Sequence, residues 1–117
     1  MPHLSTHVLD TALGVPARGV TIELHRLDQG QRKHIKTVET NADGRTDAPL
    51  LAADSLETGV YELTFHAGDY LRARGASLTD PPFLDQVVIR FGVSDSGRNY
   101  HVPLLLSPFG YSTYRGS

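Results

Sequence analysis

An all-β sandwich is the fold class this sequence predicts, and three observations predict it. Apolar and polar residues alternate with a period of two over a series of short stretches. Those stretches are rich in β-branched and aromatic residues, which suit a pleated, half-buried surface. Turn residues recur every 8 to 12 positions between them, the punctuation of a sandwich of about 100 residues. The expectation is a single domain over residues 1–117, a length that suits one domain.

The strands follow in order. "STHVLD" at 5–10 opens the chain, and the turn-rich "DTALGVPARG" at 10–19 leads out of it. In "VTIELHRL" at 20–27, Val20, Ile22 and Leu24 share one face, and Thr21, Glu23 and His25 the other. "HIKTVET" at 34–40 reads as a strand, and the Asp-Gly of "NADGRTD" at 41–47 marks a tight turn. "VYELTFH" at 60–66 groups Tyr61, Leu63 and Phe65, and "QVVIRFGV" at 86–93 groups Val87, Ile89, Phe91 and Val93. "YHVPLLL" at 100–106 and "YSTYR" at 111–115 complete seven stretches. Pro103 lies inside the apolar run of the sixth of these, where its missing N–H demands a bulge or an unpaired edge. One segment breaks the pattern. In "AGDYLRARGASL" at 67–78, Tyr70, Leu71 and Arg74 sit at helical spacing, with Asp69 as N-cap and Gly75 as stop, predicting one short helix between two strands. "TDPP" at 79–82 then forbids regular pairing, since two consecutive residues lack an N–H.

Composition excludes several classes. Net charge is −2, so no basic excess points to nucleic acid. With no cysteine, disulfides, thiol catalysis and zinc–thiolate sites fall away. The apolar runs are too short to span a bilayer as helices. "MPHLSTHVLD" lacks the basic and apolar regions of a secretory leader, so the cytoplasm is the expected compartment.

Few side chains declare chemistry by spacing. The six histidines, at 3, 7, 25, 34, 66 and 101, include no HExxH pattern, and the one i, i+4 pair, His3 and His7, falls in a stretch that reads as strand rather than helix, so no metal is expected. His7 and His101 lie in mid-strand, where a histidine is usually half buried with one hydrogen bond; the alternative is a proton-transfer role. Arg45 follows Asp43-Gly44 in a turn, either as a solvated side chain or as a planar clamp for an anion or carbonyl. Ser112 and Ser117 lack a Gly-x-Ser-x-Gly elbow, and no glycine-rich phosphate loop is present.

The stretch "YHVPLLLSPFGYSTYRGS" closely resembles the signature of the 5-hydroxyisourate hydrolases, transthyretin-like enzymes of urate breakdown. "LSTHVLDTALGVPA", "TNADGRTDAPLL" and "GVYELTF" extend the resemblance over the whole chain. It implies a transthyretin-like β-sandwich of two four-stranded sheets with one short helix. It also implies a homotetramer, a dimer of dimers, with active sites at the dimer–dimer interface. The implied activity is hydrolysis of 5-hydroxyisourate to 2-oxo-4-hydroxy-4-carboxy-5-ureidoimidazoline, with no cofactor. Position by position, the family's functional residues match His7, Arg45, His101 and the tetrapeptide Tyr114, Arg115, Gly116 and Ser117.

The resemblance assigns roles as expectations. His7 and His101 handle protons, Arg45 grips the polar edge of the substrate, and Tyr114, Arg115 and Gly116 bind the ring. Ser117, with the terminal carboxylate, fixes the histidines or the water and walls the site. Transthyretin, a hormone carrier on the same fold, is the competing reading. It is similar in its "LLSP…YST" stretch, but it has lysine, glutamate and threonine where this chain has His7, Arg45 and His101. The enzyme is therefore the expected branch.

Overall fold

The computed structural model describes residues 1–116, so the expectation for Ser117 lies outside the described residues. Among the described residues ten strands and one helix follow in chain order: β1 Leu4–Ser5, β2 Val8–Asp10, β3 Val15–Pro16, β4 Thr21–Asp28, β5 Gln31–Glu39, β6 Gly59–Phe65, α1 Ala67–Ala73, β7 Val87–Val93, β8 Tyr100–His101, β9 Leu104–Ser107 and β10 Gly110–Thr113. Two four-stranded sheets form, in the orders β5-β4-β6-β7 and β10-β9-β2-β3. The first is antiparallel throughout; in the second β2 and β9 run parallel. The sandwich of two four-stranded sheets with one helix is thus as expected. A two-stranded parallel pair, β1 with β8, adds to it.

The extra pair explains why ten strands stand where the alternation showed seven. Residues 5–10 divide after Ser5, and residues 100–106 divide after His101. At both breaks the chain leaves the small pair and joins the large sheet, where Val8 aligns with Leu104. Pro103 sits in the second break, where no ladder hydrogen bond is asked of its nitrogen. The period of two survives the first break. Leu4, Thr6, Val8 and Asp10 all point inward, while His3, Ser5, His7 and Leu9 stay half exposed. The short hairpin strand β3 carried no alternation, and its two residues are exposed.

The core lies between the sheets. Ile22, Leu24, Leu63 and Phe65 from one side meet Val8, Leu104 and Leu106 from the other, all at 0% exposure. This is the apolar face that alternation assigned. The opposite face of the β4–β6 sheet is less wet than alternation alone implies: His25, Glu62 and Thr64 are buried too. Arginine side chains cover them. Arg32 Nε donates to one oxygen of Glu62 at 2.9 Å and Arg90 Nε to the other at 2.8 Å. Burial alone would raise the Glu62 pKa, yet the two guanidinium groups hold it below its ordinary value.

The helix begins earlier than its sequence signal. Its N-cap is His66, without a side-chain cap, and Asp69 lies inside the first turn rather than at the cap. The reason is tertiary: the free N–H of Gly68 donates to the Asp85 carbonyl at 2.7 Å, so no capping side chain is required. Gly75 has φ +84, consistent with the predicted stop. No helix among the described residues is long and apolar enough to cross a membrane.

Asp10 ties this helix to β2. It is fully buried and accepts from the Tyr70 hydroxyl and from Arg74 Nε, each at 2.8 Å, and from the N–H groups of Ala12 and Leu13. Burial pushes its carboxyl pKa up, but these donors outweigh burial and leave it below 3.8. Burial and the facing carboxylate push the Tyr70 phenol up to about 12. Asp10→Ala strands a phenol and a guanidinium, and is expected to cost about 3 kcal/mol of stability at neutral pH. Because the folded pKa is depressed, the Asp10 contribution is present above the ordinary value of 3.8 and disappears as pH falls through the folded value. Urea midpoints for wild type and variant should therefore differ at pH 7 and converge in strong acid; an equal gap at both would remove the ion pair from the account.

Candidate active site

Three segments build the site. The first is the run from His3 to His7 about β1, whose outward face presents His3, Ser5 and His7 in turn; His7, expected in mid-strand, lies in the break between β1 and β2. The second is β8, which sets His101 directly opposite Ser5. The third is the turn at 41–45, folded by its own side chain. Asn41 Oδ1 accepts from the N–H groups of Asp43 and Arg45, and the Asn41 N–H donates to the Arg45 carbonyl at 2.8 Å. The Val8 N–H then donates to the Gly44 carbonyl at 2.8 Å, docking the turn on β2.

Each histidine is held differently. His7 Nε2 donates to the Asp43 carbonyl at 2.9 Å, which leaves Nδ1 as its free ring atom. His101 Nδ1 lies 2.8 Å from Ser5 Oγ, which leaves Nε2 as its free atom among the described residues. Burial lowers the His101 pKa, and the positive charge of Arg45 lowers it further, with smaller contributions from His7 and His3. His101 is therefore a neutral imidazole beside a permanent cation at pH 7. Arg45 is exposed and, among the described residues, its guanidinium forms no hydrogen bond. It lines a cleft with His3, Ser5, Thr6 and Asp47.

The C-terminal tetrapeptide divides. Gly116 pairs with His101 as an antiparallel bridge, its N–H donating to the His101 carbonyl at 2.7 Å. A β-carbon at Gly116 would stand 2.9 Å from His101 Cδ2, so only glycine lets this backbone lie against the ring. Arg115 turns elsewhere. Its guanidinium stacks 4.2 Å from the Tyr100 ring centroid and donates to the Asn99 carbonyl. Tyr114 is exposed and lines a different groove, with Ile89, Arg90 and Phe91 of β7. One protomer thus brings Arg45 and His7 within electrostatic reach of His101 and sets Gly116 against its ring, and leaves Tyr114 and Arg115 outside the cleft lined by Ser5 and Arg45.

Two contributors were missed in the sequence. Ser5 stood in plain view in "HLSTH", on the same alternating face as His7, and strand period was the signal that could have found it. The Asp43 carbonyl is a backbone atom and has no side-chain signature. Among the described residues, no group of three or more histidine, cysteine or acidic side chains is placed to hold a metal.

The chain is similar to known proteins over nearly all of its length. The model of the "HIUase/Transthyretin family" matches residues 4–116. The chain belongs to this family. Its relatives within the HIUase/Transthyretin family include "5-hydroxyisourate hydrolase 2" of Rhizobium meliloti, 60% identical over 114 residues, covering 97% of this chain and 95% of that protein. Among solved structures, 5-hydroxyisourate hydrolase of Klebsiella pneumoniae superposes with TM-score 0.81 at 37% identity, covering all of both chains. An (S)-allantoin synthase superposes with TM-score 0.93 at 41% identity; the match takes in 99% of this chain but only 44% of that longer one.

Proposed function

We propose that this protein is an enzyme that hydrolyses 5-hydroxyisourate to 2-oxo-4-hydroxy-4-carboxy-5-ureidoimidazoline in urate breakdown. The observation that carries the reading is His101: a half-buried imidazole, its pKa lowered by burial and by Arg45, with one ring nitrogen tethered and, among the described residues, the other free, beside a guanidinium that forms no hydrogen bond among those residues. Water is a poor nucleophile and a ring nitrogen a poor leaving group, so ring opening needs a positioned base, a positioned acid and a charge stabiliser. His101 Nε2 takes a proton from water as its oxygen bonds to the ring carbonyl carbon. Arg45 offers its fork to the oxygen on which charge develops. His7 Nδ1, a lone-pair atom while Nε2–H holds the Asp43 carbonyl, lies on the leaving side and can pass a proton but not originate one: as the carbon–nitrogen bond breaks, the nitrogen takes up the proton that His101 Nε2 drew from water, and both imidazoles end neutral. Homologues named as 5-hydroxyisourate hydrolases support the substrate.

The carrier reading draws support from the shared family description. It is disfavoured because residues 7, 45 and 101 converge in this structure, whereas a carrier has no use for them. In keeping with the family, the working form is proposed to be a homotetramer, a dimer of dimers. Exposed Leu13, Val15, Phe109 and Tyr111, on or beside the β10-β9-β2-β3 sheet, give it apolar surface to bury. A partner protomer would then supply what Tyr114 and Arg115 do not bring to the cleft of their own chain.

The test is the ultraviolet decay of 5-hydroxyisourate made freshly from urate with urate oxidase. Catalytic amounts of this protein, scattering light as a tetramer, should collapse the signal. A decay rate unchanged by added protein rejects the enzyme and leaves the carrier.

A further inference from the structure

The His101 ring has one side-chain hydrogen-bond partner among the described residues, and it is a hydroxyl. Ser5 Oγ lies 2.8 Å from Nδ1 across a contact that links residues 96 positions apart. The contact is built into the backbone. β1 and β8 pair in parallel with Ser5 aligned on His101, and the ladder bonds Tyr100 N–H to the His3 carbonyl and Val102 N–H to the Ser5 carbonyl, each 2.9 Å, flank the pair. Gly116 closes on the other side of the ring. The imidazole is therefore clamped in its plane, and the chemical character of the clamp at Nδ1 decides what Nε2 can do.

A neutral imidazole carries its proton on one nitrogen only. If Ser5 donated to Nδ1, the proton would sit on Nε2 and the free atom could not accept another. If Ser5 accepts from Nδ1–H, Nε2 keeps its lone pair. The second arrangement also survives the reaction, because Nδ1–H goes on donating to the same oxygen after Nε2 gains a proton. A carboxylate in this place would favour the charged imidazolium and raise its pKa. A hydroxyl orients the ring without that penalty on neutrality, in keeping with the cationic Arg45 and the neighbouring His7 and His3 that face the ring.

We infer that Ser5 is a positioning residue for His101: its hydroxyl accepts from Nδ1–H and so presents Nε2 to the cleft as an unprotonated base. The inference rests on the reading of His101 as the water-activating group. Its test has one arm that requires no turnover. In protein labelled with nitrogen-15 at histidine, the ring shifts of His101 should report the Nδ1–H tautomer at pH 7 in the wild type. Ser5→Ala should shift the ring toward Nε2–H. It should lower kcat on 5-hydroxyisourate by about 10–100-fold, within what a 1 Å misplacement can cost, while KM changes by less than about threefold, since no substrate contact is removed. Ser5→Thr, which keeps the hydroxyl in a residue suited to strands, should restore both the tautomer and kcat to within about threefold.

An Nε2–H tautomer in the wild type overturns the inference. So does a folded Ser5→Ala with unchanged tautomer and kcat, or a folded Ser5→Thr that rescues neither. If Ser5→Ala does not fold, the wild-type tautomer and Ser5→Thr still decide. If the wild type fails to turn over 5-hydroxyisourate, the functional reading falls, and the ring shifts alone show whether Ser5 orients His101.

Discussion

His101→Asn lowers kcat by roughly 10²–10⁴, the usual worth of a positioned acid or base, with the sandwich intact. The side chain removed is half exposed and belongs to a two-residue strand rather than to the core between the sheets, so circular dichroism and the urea midpoint should move little. Asparagine can still hydrogen-bond Ser5, but it has no nitrogen able to accept a proton near neutral pH. His7→Asn should fall in the same range, because the Asp43 carbonyl keeps a donor partner while the free Nδ1 is lost. The wild-type pH profile carries a sign of its own. Burial, then Arg45, His7 and His3, hold the His101 pKa below 6.5. The group is neutral above its folded pKa, so the acid-side decline of kcat/KM should be centred below pH 6.5. A decline centred at or above 6.5, or near-normal kcat in His101→Asn, would remove His101 as the base.

The fold was legible wherever one face of a strand meets the core. Val20, Ile22 and Leu24, or Tyr61, Leu63 and Phe65, must alternate because the pleat alternates, and each is buried as that period demands. What alternation could not show was where a strand changes partners. The break after Ser5 leaves the inward and outward order of side chains undisturbed, so residues 5–10 read as one strand although they serve two sheets. The helix start was misplaced for a similar reason: the Gly68 N–H finds its acceptor at Asp85, far along the chain. The site itself was barely legible from spacing, because its contacts are long-range. Ser5 meets His101 across 96 positions and His7 meets Asp43 across 36. Resemblance located His7, Arg45 and His101, and only the fold shows what holds them.

Gly44→Ala should be as damaging as removal of a catalytic histidine, although Gly44 has no side chain and touches no substrate. Its φ is +74, a region in which an L-residue costs roughly 1–2 kcal/mol. More important is what stands in front of it. A β-carbon built there would lie 2.4 Å from the Val8 carbonyl oxygen and 3.2 Å from Pro16 Cβ. Ordinary contact begins at 3.4 Å, so against the Val8 oxygen the backbone must give way by 3.4 − 2.4, or 1.0 Å. That oxygen belongs to β2 itself, where it also accepts from Ala17 N–H, and it has no rotamer by which to escape. The turn must move instead. Its withdrawal stretches the Val8–Gly44 hydrogen bond, draws the Asp43 carbonyl away from His7 Nε2, and carries Arg45 off the cleft. A displacement of about 1 Å at reacting groups can cost on the order of 10²-fold, and here two groups move together. The expected outcome is a kcat/KM lower by about 10² or more, and a stability loss of about 2–4 kcal/mol from backbone strain and the weakened docking bond. Ala42→Gly, two positions away in the same turn on an exposed residue, is the control for flexibility alone and should leave kcat/KM within about threefold, as expected for an exposed surface change. Normal turnover in Gly44→Ala would mean that the turn can slide without disturbing His7 or Arg45, and that neither is held where the chemistry needs it by this docking.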